Sequence, residues 1–230
     1  MSEELGLLIK FVGIGLGVLL PLANPLTSMS LLLSLGQSLS VQERSRQIKQ
    51  ATLYVISILL VTYYAGMWIM NALDISMPGM RIAGGMVVAF IGFNMLFPRE
   101  SVGNMPEADR AKESMQSHPN PSIAFVPLAM PGTAGPGTMA MIISMSSKVD
   151  LVKAHYPAWV VWLAPIIIAL LLGALFYVCL KSANRLVKII GHDGIDAVSR
   201  VMGFLLVCMG VQLVINGIQE LTTHPLHAIT

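Results

Sequence analysis

Long apolar runs are the feature that most constrains this chain. Six of them reach the length, about 20 residues, that a helix needs to cross a lipid bilayer. They cover residues 5–35, 51–73, 77–97, 123–146, 159–180 and 198–218. Charged residues make up only 11% of the sequence, against about 25% in a typical soluble domain, so a surface that faces water on all sides is excluded. The sequence therefore predicts an all-α polytopic membrane protein with six transmembrane helices.

Lysine and arginine are distributed unevenly among the loops that join these helices. The first, third and fifth loops carry ten of the 14 residues of these two types, and the opposite side of the membrane carries four. Cytoplasmic loops are enriched in positive charge, so we expect these three loops to be cytoplasmic and both termini to be periplasmic. The predicted localisation is the bacterial inner membrane. The polar stretch 98–122 is then a cytoplasmic linker, and residues 219–230 form a short periplasmic tail.

Two of the six runs contain residues that a continuous helix does not tolerate. The first run holds PLANPLTSMS at residues 21–30, and the fourth holds PLAMPGTAGPG at residues 127–137. Pro25 has no backbone N–H to donate, and its ring disfavours helical geometry at Asn24. In the fourth run, three glycines and two prolines fall within seven residues. We therefore predict that the first and fourth helices are broken inside the membrane.

A second motif also occurs twice. GGMVVAFIGFNML at 84–96 and MGFLLVCMGVQLV at 202–214 share a glycine, six residues, a second glycine, one residue and an amide side chain. The two sets are Gly85, Gly92 and Asn94, and Gly203, Gly210 and Gln212. The chain thus divides into two units of three helices, 1–97 and 123–218. In each unit the first helix contains a break and the third helix contains this glycine motif. Because three is odd, the second unit must enter the membrane from the opposite side, which predicts an inverted-topology repeat.

Paired broken helices in transporters with inverted repeats meet near the bilayer midplane and form the substrate site. A helix that starts there presents unpaired N–H groups and a partial positive charge, which suit a carboxylate. The predicted substrate-binding residues are Asn24, Pro25, Thr27 and Ser28 in the first break, Pro131, Gly132, Thr133, Gly135, Pro136, Gly137 and Thr138 in the second, and Asn94 and Gln212 beside the path. The alternative is a pair of proline kinks that only shape packing.

Other small and charged residues have structural interpretations. Gly13 and Gly17 form a GxxxG motif in the first helix, which predicts close packing against another helix. Arg81 and Arg200 stand just before the third and sixth helices. We expect both arginines to anchor the helix ends at the membrane interface.

The sequence lacks the groups that several other functions require. No Asp or Glu lies inside a predicted helix, which argues against a proton antiporter with a buried carboxylate. The sequence has no HExxH motif, no pair of intramembrane aspartates and no nucleotide-binding loop, so we predict no enzyme activity, no cofactor and no metal. No long basic run indicates nucleic acid as a partner. The partners expected are the lipid bilayer, a small polar metabolite and, as a further option, a second copy of the chain in a homo-oligomer.

Four blocks of the sequence resemble one known family. PLANPLTSMSLLLSL, PGMRIAGGMVVAFIGFNMLFP, IAFVPLAMPGTAGPGTMAMIIS and VSRVMGFLLVCMGVQLVINGI are similar, in this order, to the MarC/SnatA family of bacterial inner-membrane proteins. The resemblance implies a six-helix build like that of the LysE-like exporters. SnatA-type relatives look like transporters of small neutral amino acids. The motif positions that the resemblance carries over are Asn24, Pro25, Pro131, Gly135, Pro136 and Gly137.

The residues and the resemblance together predict a transporter or exporter of small metabolites such as neutral amino acids. The alternative is a non-transporting membrane protein with a regulatory or scaffold role, in which the breaks are packing features. Multidrug efflux is a third and less favoured interpretation. It predicts a roomy apolar cavity, whereas the breaks are small, rich in glycine and supplied with hydroxyl groups.

Overall fold

The computed structural model of the chain describes residues 2–35, 39–97, 122–130, 133–147 and 156–223. Helices account for nearly all of them, and no β-strand occurs within these ranges. The α-helices are α1 (Ser2–Leu22), α2 (Pro25–Leu35), α3 (Val41–Ala72), α4 (Met77–Leu96), α5 (Pro136–Ser146), α6 (Ala158–Lys181) and α7 (Ala183–Thr223). A six-residue π-helical turn, Ala124–Ala129, precedes α5. The predicted all-helical fold class is confirmed.

Five helical segments in the described ranges are long and apolar enough to cross a membrane. They are Glu4–Leu22, Val41–Ala72, Met77–Leu96, Ala158–Lys181 and Gly194–Thr223. The prediction of six transmembrane helices, the first and fourth of them broken, is not confirmed as a whole, because the fourth predicted span, 123–146, is divided between the π turn and α5. Neither piece crosses a bilayer alone, since a spanning helix needs about 20 residues and α5 has 11.

Three element ends differ from the sequence prediction for local reasons. Helix α3 begins ten positions earlier than expected because the Ser40 side chain caps it, accepting a hydrogen bond from the Glu43 N–H at 3.2 Å. Helix α7 also begins early and bends at Gly191, whose φ of 76° is a left-handed conformation that favours glycine. It then continues to Thr223, into the predicted tail. The linker residues 98–121 and the tail residues 224–230 lie outside the described ranges.

The first predicted helix is interrupted at the expected place. Helix α1 ends at Leu22, and α2 begins at Pro25 after two residues that are not helical. Helices α2 and α5 each contain 11 residues and each start with a proline. Eleven helical residues extend about 16 Å, roughly half of the 30 Å hydrocarbon core. Both breaks are therefore followed by a helix of half-membrane length.

The two copies of the glycine motif pack directly against each other, with α4 and α7 antiparallel. A Cβ atom on Gly85 would lie 2.5 Å from the carbonyl oxygen of Gly210. A Cβ atom on Gly92 would lie 2.6 Å from the carbonyl oxygen of Gly203. The helix backbones can approach this closely only because these four residues have no side chain. We call this contact the glycine seam.

The non-helical backbone of both breaks is covered by protein. Ala23 in the first break and Ala129 and Ala134 in the second are at most 4% exposed. All three belong to the apolar core that is built mainly by α1, α3 and α6. Irregular backbone at membrane depth is tolerated only under such cover, so the packing of α1, α3 and α6 is what permits the two breaks.

Candidate functional site

The two breaks meet through a pair of hydroxyl groups. The Ser28 Oγ and Thr133 Oγ1 atoms lie 3.1 Å apart, and Ser28 also donates a hydrogen bond to the Leu128 carbonyl at 2.9 Å. Because Ser28 has one hydroxyl hydrogen and directs it to this carbonyl, Thr133 is the donor within the pair. Thr138 belongs to the same group, since its hydroxyl donates to the Thr133 carbonyl at 3.0 Å.

Asn24 completes this group, which we call the break cluster: Asn24, Ser28, Thr133 and Thr138. The Asn24 Oδ1 atom accepts a hydrogen bond from the Leu26 N–H at 3.0 Å, so the side chain caps the start of α2. This bond also fixes which end of the amide is oxygen. The Asn24 Nδ2 atom is buried and has no hydrogen-bond partner among the described residues. A buried donor without an acceptor costs about 1–3 kcal/mol, so this atom is an unsatisfied polar group at the start of α2.

A side-chain hydroxyl donates to a backbone carbonyl at the second break. The Ser28 hydroxyl is a donor to the Leu128 carbonyl, beside the point where helical geometry ends, and buried backbone carbonyls need such partners. The turn closes further through the Ala134 N–H, which donates to the Ala129 carbonyl at 3.0 Å. Each member of the cluster therefore has a structural task in addition to any contact with a ligand.

Both half-length helices start beside this cluster. Gly135 stands at the N-cap of α5 and makes no side-chain cap, and Pro136 at the first position has no N–H. The start of α5 therefore keeps uncapped N–H groups and the partial positive charge of a helix N-terminus. A cavity of about 20 Å³ lies beside the start of α5. Its lining consists of Leu22, Val88, Ile91, Gly135, Gly137, Thr138 and Leu206. That volume holds about one water molecule.

Other predicted site residues form the frame of the cluster or are not described. Pro25 and Pro136 are the first residues of the two half-length helices. Gly137 packs against α4, where a Cβ atom would lie 2.6 Å from Val88 Cγ2. Pro131 and Gly132 lie outside the described residues, and so does the side chain of Thr27. The structure therefore brings together the predicted hydroxyl and amide groups of the two breaks, as far as it describes them.

Asn94 and Gln212 are not part of this arrangement. Both side chains are on the exposed surface, and Gln212 donates to Asn216 Oδ1 at 2.9 Å. The reason is helical geometry: each amide follows a seam glycine by two positions, which turns it about 200° around the helix axis. Since Gly92 and Gly210 face the seam, the amides face away from it.

Arg81 has a larger structural role than the interface anchor that the sequence indicated. Its side chain is buried, donates to Ser144 Oγ at 2.9 Å and to Ser147 Oγ at 3.0 Å, and forms an ion pair with Glu220. It thus ties α4 to the C-terminal end of α5 and to α7. The sequence feature that could have indicated this role is the position of these residues. Arg81 lies near the start of the third apolar run, and Ser144 and Ser147 lie near the end of the fourth. Arg200, by contrast, is exposed on α7.

The break cluster carries no ionisable side chain. Its polar groups are one amide and three hydroxyls, together with the helix starts. Across the described ranges, no three His, Cys, Asp or Glu side chains come close enough to hold a metal ion. The arrangement can donate hydrogen bonds to an oxyanion and accept them from an ammonium group, without a net charge of its own.

Comparisons with known proteins agree on one family. The family model described as "MarC family integral membrane protein" matches residues 9–222. The inner membrane protein MarC of Salmonella typhimurium is 52% identical over 214 residues, which is 93% of this chain and 96% of that protein. The proteins of the same name from Citrobacter koseri and Escherichia coli O1:K1 are 51% identical over the same shares. No solved structure matches significantly. The chain therefore belongs to the MarC family of integral inner-membrane proteins.

Proposed function

We propose that this protein transports small polar metabolites, with neutral amino acids as the favoured substrates, through a site at the break cluster. The observation that carries the proposal is the buried, unpartnered Nδ2 atom of Asn24. This atom lies at the start of α2. In the same helix, the Ser28 hydroxyl contacts the hydroxyl of Thr133, which lies just before α5. An unsatisfied donor in such a place is costly unless a ligand uses it.

The chemistry of the cluster fits a zwitterion. A substrate carboxylate would accept hydrogen bonds from Asn24 Nδ2 and from the uncapped N–H groups at the start of α5, where the helix dipole favours negative charge. The hydroxyls and freed carbonyls of the breaks would accept from the substrate ammonium group. A substrate without net charge suits this cluster, because burying a net charge without a charged partner is unfavourable.

The proposal includes an inverted repeat of residues 1–97 and 123–218, with both termini periplasmic. The glycine seam supports it. A two-fold axis that maps Gly85 onto Gly203 and Gly92 onto Gly210 exchanges the two seam contacts with each other. The equal lengths of α2 and α5 support it as well. In this scheme, the two units rock about the seam and expose the break cluster to each side of the membrane in turn.

The second candidate, efflux of larger apolar compounds, has one observation in its favour. An apolar cavity of about 280 Å³ lies between α1, α3, α5 and α6. Its lining includes no member of the break cluster, and its volume is at the lower limit for drug-sized sites. Amino acid transport is therefore the better supported function. A regulatory or scaffold role would leave the Asn24 donor unexplained.

Counterflow in proteoliposomes of the purified protein tests the proposal. Vesicles would be loaded with a panel of amino acids, and the wild type compared with Asn24→Ala and Thr133→Val. The matched control is Thr52→Val, which removes a hydroxyl that bonds within its own helix, to the Ile48 carbonyl. We expect saturable exchange of a few small amino acids that is lost in the two break variants and kept in the control. No exchange of any amino acid by folded, inserted protein would contradict the proposal and favour the scaffold role.

A further inference from the structure

An apolar cavity lies away from the break cluster. It has a volume of about 280 Å³ and is bounded by α1, α3, α5 and α6. Leu59 of α3 and Ile168 and Ala169 of α6 form its inner wall, and all three are at most 6% exposed. Ile14 of α1 also lines the cavity, and its side chain is 53% exposed. The cavity is therefore buried at one side and reaches the outer surface of α1 at the other.

A proline inside α6 forms part of the cavity wall. Pro165 lines the cavity and has no N–H for the Val161 carbonyl four residues earlier. The Tyr63 hydroxyl donates to that carbonyl at 3.4 Å, and the neighbouring Tyr64 hydroxyl donates to the Trp162 carbonyl at 2.5 Å. These bonds hold α3 against the part of α6 that the proline disturbs. They also use the Tyr63 hydroxyl. Apart from Tyr156, the other residues of the lining are apolar or glycine, so the lining offers little to a polar ligand.

The apolar lining of the cavity and its position beside a membrane-spanning segment indicate which kind of molecule would fill it. Apolar cavities even smaller than this one stay free of water and take up apolar molecules. The mouth at Ile14 lies on Glu4–Leu22, a segment that is long and apolar enough to cross the membrane. The molecules that surround such a segment are lipids, whose acyl chains have the chemistry of the lining. We propose that this cavity is a binding site for one acyl chain of a membrane lipid, entering beside Ile14. The proposal does not depend on the transport function.

Quenching of single tryptophans by brominated lipid tests this site. Trp68, Trp159 and Trp162 would be replaced by phenylalanine, and one tryptophan introduced in their place. The reporter is Leu59→Trp, in the inner wall of the cavity. The controls are Phe176→Trp, a core position that is 1% exposed and outside the lining, and Phe90→Trp, which is 66% exposed. Each protein would be reconstituted in phosphatidylcholine with dibrominated acyl chains, using bromines at several depths.

We expect Leu59→Trp to be quenched several-fold more than Phe176→Trp and to approach the quenching of Phe90→Trp. Filling the cavity with Ala169→Phe should abolish the quenching of Leu59→Trp and leave Phe90→Trp unchanged, with Ala169→Leu as a milder filler if the larger one does not fold. Equal, weak quenching of Leu59→Trp and Phe176→Trp would overturn the proposal. In the protein with its native tryptophans, a phosphatidylcholine with a diazirine on its acyl chain should label peptides of α3 and α6 that line the cavity. Labelling confined to exposed helix faces would overturn it equally.

Discussion

The hydroxyl oxygens of Ser28 and Thr133 lie 3.1 Å apart although 105 positions separate these residues in the chain. This contact joins two proline-broken segments that resemble each other in sequence. Both side chains are at most 1% exposed, so water does not compete for the hydroxyls, and hydrogen bonds in such surroundings are strengthened. The two breaks form one buried polar unit, and the predictions below follow from its contacts and from those of the helices around it.

Ser28→Ala should destabilise the protein more than Thr133→Val. The Ser28 hydroxyl is the donor for the buried Leu128 carbonyl, and an unsatisfied buried acceptor costs about 1–3 kcal/mol. Loss of the Thr133 hydroxyl leaves that bond in place and removes one ordinary hydrogen bond, worth about 1 kcal/mol. Unfolding of the purified protein in mixed detergent micelles would give both free energies. Thr52→Val serves as the control for the Thr133 substitution.

A double-mutant cycle on the same pair should give a coupling free energy of about 1 kcal/mol, since residues in direct contact are coupled and distant ones are not. The cycle compares Ser28→Ala, Thr133→Val and the double variant. Additive effects would mean that the hydroxyls do not interact, and the geometry of the breaks would then need revision.

Substitutions at Asn24 should separate the stability of α2 from its function. Asn24→Ser keeps a side chain that caps the helix, whereas Asn24→Ala loses the cap at a cost of about 1 kcal/mol. Both remove the free Nδ2 donor. Because both variants lose the unsatisfied donor, we expect Asn24→Ser to unfold at or above the wild-type denaturant concentration and Asn24→Ala below Asn24→Ser. Equal stability losses in the two variants would show that the amide, rather than the cap, holds the break together.

The glycine seam should not accept even one methyl group. In Gly92→Ala the new Cβ atom would meet backbone atoms of Gly203 and Val207 at 2.6 and 2.7 Å, so the helices must move apart. Such overpacking costs about 1–3 kcal/mol. The matched control is Gly17→Ala, where no described atom lies within 4 Å of the new Cβ. It should be neutral or up to about 1 kcal/mol more stable, because alanine favours helix over glycine. Unfolding of both variants under one set of conditions gives the comparison.

The Arg81–Glu220 ion pair should respond unequally to loss of its two partners. The Arg81 side chain is 7% exposed and that of Glu220 is 31% exposed. Glu220→Gln leaves a buried cation without a counter-charge, which is strongly unfavourable. Arg81→Met leaves a carboxylate that solvent can still reach, and fills the space with an apolar chain. We therefore expect Glu220→Gln to lower the free energy of unfolding more than Arg81→Met. The reverse order would mean that the serine contacts of Arg81 outweigh the ion pair.

The sequence was sufficient to predict where the helices break, because proline and glycine act locally on the backbone. It also predicted that residues of the two breaks come together, and Ser28 and Thr133 do so. It could not predict that the fourth segment contributes only a half-length helix. The outcome depends on how core residues from α1, α3 and α6 cover the broken backbone, and no local pattern in the sequence reports that packing.

The spacing of small residues in the sequence predicted a close helix contact at the wrong place. The GxxxG motif of Gly13 and Gly17 predicted tight packing, but no described atom lies within 4 Å of a Cβ at either glycine. The close contact is made instead by the glycines that accompany Asn94 and Gln212. Those amides were expected beside the substrate path. They lie on the exposed surface because Gly92 and Gly210, two positions earlier, face the opposite helix in the seam. Which face of a membrane helix is buried depends on its partner helix, and hydropathy does not distinguish the faces here.

The proposed substrate site is tested best by the rate of amino acid counterflow by Asn24→Ser beside the wild type, measured with equal amounts of folded protein in the vesicles. This variant keeps an oxygen that can cap α2 and replaces the buried Nδ2 donor that we assign to the substrate carboxylate by a smaller hydroxyl group. We expect a fold at least as stable as that of the wild type and a large loss of saturable exchange. Exchange at the wild-type rate and with the wild-type half-saturation concentration would contradict this expectation, and would show that no substrate binds at the break cluster.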